Sequence, residues 1–88
     1  MAKLKATEDG FNRLVAIISA VPFASPGRTL TEIMIAVPVA YSVETMAGIL
    51  STQVSRGWLR TERTRSGTRY TRVIRDVHDT LSELIEIV

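Results

Sequence analysis

The chain has 88 residues, 45% of them hydrophobic, with 11 lysines and arginines against nine aspartates and glutamates. One short domain with a modest core is expected, and disorder is excluded by the apolar content. With no cysteine and the single histidine His78, disulfides, thiolate metal sites and cysteine nucleophiles are excluded, and no metal or other cofactor is expected.

Thr7, Glu8 and Asp9 suit a helix start, a capping hydroxyl followed by acids at the positive dipole end. The apolar period Phe11, Leu14, Val15, Ile18 and Val21 predicts an amphipathic helix that Pro22 ends. Residues 22–28 hold two prolines and a glycine and read as a loop. Thr29 with Glu32 three residues on is a capping box, opening a short helix from Leu30 to about Val37, which Pro38 breaks. Ser42 then caps a third helix to about Ser55, with Met46, Ile49, Leu50 and Val54 as its apolar positions, and Gly57 stops it.

From Trp58 the period changes. Trp58 to Thr64 and Thr68 to Val73, rich in threonine, arginine and β-branched or aromatic residues, predict a hairpin turning at Ser66-Gly67. That turn would pair Arg65 with Thr68, Thr64 with Arg69 and Arg63 with Tyr70, setting Arg63 and Arg65 on one strand face and Arg69 on the other. Ile74, Val77, Leu81, Leu84 and Val88 are spaced as a heptad seam, with Ile85 widening the stripe. They predict a last helix over 74–88. Its apolar stripe either packs on the first helix or forms a homodimer interface.

The mild net charge of +2 conceals a segregation. Residues 1–55 balance to zero, residues 56–75 carry seven arginines against Glu62, and residues 76–88 carry four acids and no lysine or arginine. An arginine block of this density is either a solvated hairpin or a surface for a polyanion, most often nucleic acid. No apolar run is long enough for a membrane span, and the basic opening from Met1 to Lys5 meets Glu8 and Asp9 too soon for a secretory signal. A cytoplasmic or nucleoid location is expected. No glycine-rich phosphate loop or nucleophile constellation is present, so an enzyme is not expected, nor is a small-molecule ligand.

The ordered set resembles the winged helix-turn-helix superfamily. Thr29-Leu30-Thr31-Glu32-Ile33 is similar to the L-x-E-I-A start of the family's second helix. Ser42, Thr45, Ile49-Leu50 and Arg56-Gly57-Trp58-Leu59 are similar to the S-x-x-T, L-L and R-G-L-L run of MarR and IclR DNA-binding domains. The resemblance spans roughly residues 11–73. It implies a mainly α fold with a small β-hairpin: three helices, a two-stranded wing at 58–73 within a domain of residues 1–73, and the C-terminal helix 74–88. It implies duplex DNA as partner, a small transcriptional regulator as function, and a homodimer held by Ile74, Val77, Leu81, Leu84, Ile85 and Val88. It also implies DNA contacts from Ser42, Val43, Glu44, Thr45, Gly48, Thr52, Gln53 and Arg56 on the third helix.

Three of these residues have a plainer role as well: Ser42 as a cap, Glu44 as a dipole partner, Gln53 as a core-facing residue. The third helix shows no exposed cation before Arg56, unlike its family counterparts. Affinity is therefore expected from Arg60, Arg63, Arg65, Arg69 and Arg72 of the wing, on phosphates or in a minor groove. The competing reading is a winged-helix interaction module working inside a larger nucleic-acid or regulatory complex.

Overall fold

Local signals set the helices. The structure is a computed structural model describing residues 3–88; Met1 and Ala2 of the basic opening lie outside the described residues. Strand β1, Leu4–Ala6, leads into helix α1, Glu8–Ser19. The Thr7 hydroxyl accepts from the Gly10 amide at 3.1 Å, and Asp9 pairs with Arg13 at 2.7 Å one turn on. Helix α1 caps at Ala20, before Pro22. Strand β2, Arg28–Thr29, runs into α2, Leu30–Ala36, whose capping box is complete. The Thr29 amide donates to Glu32 Oε1 at 2.8 Å, and the Glu32 amide to Thr29 Oγ1 at 3.3 Å. Helix α3, Val43–Ser55, starts on Ser42. It ends in a Schellman motif: the Trp58 amide donates to the Gln53 carbonyl, the Gly57 amide to that of Val54, and Gly57 sits at φ 81°.

Strands β3, Leu59–Thr64, and β4, Gly67–Arg72, form the expected hairpin, but its turn is Arg65-Ser66. Thr64 pairs with Gly67, Arg63 with Thr68, Glu62 with Arg69 and Thr61 with Tyr70. The expected register was centred one residue too late. Gly67, at φ 105°, opens the second strand, where the Thr64 hydroxyl donates to its carbonyl at 2.8 Å. Arg65 therefore stands in the turn and not beside Arg63 on a strand.

Strand β4 is central in an antiparallel sheet of order β2-β4-β3. Helix α4, Val77–Leu84, begins where Asp76 caps it, its carboxylate accepting from the Asp79 amide at 3.2 Å. Strand β5, Ile85–Ile87, then pairs in parallel with β1, setting Leu4 against Ile85 and Ala6 against Ile87.

Two expectations are thereby corrected. The described residues form four helices and five strands in two sheets, an α/β architecture and not a mainly α chain with a small hairpin. The predicted helix over 74–88 is also shorter: Ile74 precedes it, and Ile85 to Ile87 leave it for the sheet. The physical reason is the same in both. Strands of two or three residues carry almost no periodicity, and β-branched Ile85 and Ile87 favour extended backbone once β1 supplies partners.

One core serves the chain. Phe11, Ile17, Ile18 and Val21 meet Ile33 and Val37, Met46 and Leu50, Trp58 and Leu59, and Val77, Leu81 and Ile85. Trp58 is thus a core residue. Burial of Val77, Leu81 and Ile85 removes half of the expected dimer seam from the surface. Ile74 packs against the same core, while Leu84 and Val88 remain exposed.

Candidate nucleic-acid interface

The residues marked for DNA contact fall into three groups. On α3 the outward face is small and uncharged apart from Glu44. Ser42 and Thr45 are exposed but hold each other: the Ser42 hydroxyl accepts from the Thr45 amide at 3.1 Å and donates to the Thr45 hydroxyl at 2.9 Å. Val43 is exposed, and Gly48 faces open space, where an added Cβ would meet nothing within 4 Å. The Thr52 hydroxyl donates back to the Gly48 carbonyl at 3.0 Å. Gln53 is corrected: it is 3% exposed, seven and three residues after the core positions Met46 and Leu50 on the same α3 face, and its buried side chain is not presented to a base. Its amide donates to the Ile49 carbonyl and accepts from Arg56, whose guanidinium lies 5.2 Å from the Trp58 ring centre. Arg56 is accordingly a helix-end brace.

The second group is the arginines of β4, which turn inward. Arg69 donates to Glu32 and to the Gly27 carbonyl at 3.1 Å each, and to the Ser66 hydroxyl at 3.2 Å. Arg72 donates to the carbonyls of Val21, Ile74 and Arg75. Both tie the sheet to neighbouring segments and present little free charge, contrary to the expectation for the hairpin as a whole. The Glu32 carboxyl is held below its ordinary value of 4.5 chiefly by the hydrogen bond from the Thr29 amide; desolvation opposes this, and Arg69, the Thr29 hydroxyl and Arg28 add smaller lowering effects.

The third group is on β3 and the turn. Arg60, Arg63 and Arg65 are exposed, and among the described residues they make no hydrogen bond or ion pair. Strand alternation puts Arg60 and Arg63 on opposite faces, with Arg65 at the tip. Three cations within six residues therefore run along the edge strand, from Arg60 near the base of the hairpin to Arg65 in its turn.

Sequence reasoning passed over a groove beside this surface. Its volume is about 450 Å³, and it lies between the turn after α1, which supplies Phe23 and Ser25, and the sheet face bearing Arg60, Glu62, Thr71 and Val73. The Ser25 hydroxyl donates to Glu62 at 3.3 Å. Phe23 is 45% exposed, an uncommon position for a phenylalanine between two prolines, and that placement is the one hint the sequence offered.

No family model, curated protein or solved structure matches the chain. No helix among the described residues is long and apolar enough to cross a membrane.

Proposed function

We propose that the chain is a small DNA-binding protein, acting in transcriptional regulation, that grips duplex DNA with the edge strand and turn of its hairpin. The observation carrying this reading is the trio Arg60, Arg63 and Arg65, exposed and without internal partners among the described residues. Arginine forks fit phosphate bidentately and enter narrow minor grooves. The small outward face of α3, from Ser42 to Thr52, would lie close to the duplex and add little attraction of its own. The likeness of the 42–59 run to MarR and IclR DNA-binding domains supports the same reading.

The reading is of a binding protein and not an enzyme, working where the chromosome is, in cytoplasm or nucleoid. It includes a homodimer. Leu84, Ile87 and Val88, with Leu4 beside them, are exposed around the β1–β5 pair and support self-association there. A twofold arrangement would set two hairpins on one duplex.

Fluorescence anisotropy with labelled duplex across a salt series tests the proposal. Three phosphate contacts per protomer give a slope of log affinity on log salt of about −2.7. Absence of binding at low salt, or binding unaffected by joint Arg63→Ala and Arg65→Ala changes, overturns it. The uncharged α3 face with Glu44 favours a second reading, an interaction module within a larger nucleic-acid complex. Salt-independent retention by a host protein, with no affinity for DNA, would select it.

A further inference from the structure

We infer that the groove between Phe23 and the hairpin receives one unpaired nucleobase of a bound nucleic acid. This rests on the DNA-binding reading and narrows its substrate class to strands with an unstacked nucleotide: an overhang, a bulge or a mismatch. The groove's volume of about 450 Å³ lies within the roughly 300–1,000 Å³ of small-molecule sites. Its lining has the parts a base requires. Phe23 is an aromatic wall, and Val73, 39% exposed, adds apolar surface. The Arg75 guanidinium lies 5.0 Å from the Phe23 ring centre and is not among the groove-lining residues, so it backs the ring without filling the groove.

Polar groups stand where a base edge would meet them. The Glu62 carboxylate, shared only with the Ser25 hydroxyl at 3.3 Å among the described residues, can accept from an exocyclic amine such as that of cytosine. Arg60 belongs both to this lining and to the free cation trio, so a phosphate held by Arg60 brings its own nucleotide to the groove mouth. A fully paired duplex hides both faces of every internal base and leaves Phe23 unused. Only a base released from its stack can cover that ring.

The test uses the whole chain and three labelled probes of one sequence: a blunt duplex, the same duplex with an unpaired cytosine, and the same with an unpaired thymine. The duplexes carrying an unpaired base should bind about tenfold more tightly than the blunt one, the size of one base–aromatic stack. Phe23→Ala should erase that preference and leave blunt-duplex affinity unchanged. Phe23→Leu, which keeps apolar packing while removing the ring, should do the same and covers the case in which the alanine variant fails to fold. Glu62→Gln should reduce the preference for cytosine over thymine. Equal binding of all three probes by the unaltered chain overturns this inference alone, as does a preference that survives Phe23→Leu. Failure to bind any probe at low salt overturns the DNA-binding reading and this inference with it.

Discussion

The two strands of the hairpin carry arginines at similar density and use them in opposite ways. On β4, Arg69 and Arg72 donate inward to Glu32, Gly27, Val21 and Ile74. On β3 and the turn, Arg60, Arg63 and Arg65 face solvent. The difference follows from sheet order. Strand β4 lies between β2 and β3, so its side chains meet the turn after α1 and the start of α2. Strand β3 is an edge, and cations on an edge also discourage pairing with another chain. A run of like residues is thus half fastening and half surface, and charge counts alone do not separate the halves.

The comparison can be broken at four places, from the largest expected effect to the smallest. Gly27 sits at φ 80° with its backbone against β4, where an added Cβ would stand only 2.2 Å from the Tyr70 carbonyl oxygen. Gly27→Ala should cost about 3 kcal/mol or more in urea denaturation; an unchanged midpoint would show that this turn is not clamped to the sheet. Arg72→Ala should lose about 2 kcal/mol, since it strands three carbonyls that share one charged donor group. Its DNA affinity, measured well below the midpoint, should stay near that of the unaltered chain, and a selective loss of affinity would move Arg72 to the binding group.

Joint Arg63→Ala and Arg65→Ala should do the reverse. Stability should hold within about 0.5 kcal/mol, and the salt slope should flatten by about 1.8. A large loss of stability with no change in slope would erase the distinction between the strands. The smallest effect is at Glu32. Its carboxyl titrates below the ordinary 4.5 in the fold, so its contribution is complete above that pH and is lost as pH falls through the lowered value. Denaturation midpoints compared at neutral pH and below 4.5 should differ less in Glu32→Gln than in the unaltered chain. Equal pH dependence in the two would show that the Glu32 charge stabilises neither the Thr29 cap, the chief cause of its lowered value, nor the Arg69 contact.

Features encoded within four residues were legible in the sequence. The caps at Thr7, Thr29 and Ser42 and the stop at Gly57 depend on groups adjacent along the chain, and the helices begin or end there. Pairings across long separations were not. Leu4 meets Ile85 and Arg28 meets Tyr70, and nothing in either short stretch announces its partner. Ile74 to Val88 satisfied helical spacing because residues seven apart suit a heptad whether or not the backbone remains helical between them. The core role of Gln53 was legible in its spacing from Met46 and Leu50, and only its polarity argued for the surface. The groove at Phe23 was hidden because its walls are contributed by segments nearly 40 residues apart, Ser25 and Glu62 among them.

The parallel alignment of β1 with β5 has a mechanical consequence. Tension applied at Lys3 and Val88 would pull β1 from its first residue and β5 from its last, which are opposite ends of a parallel pair. The cross-strand bonds would then bear the load together, in shear, and could not open one after another like a zipper. A chain held this way yields abruptly, and the helices behind the clamp feel no force until it slips.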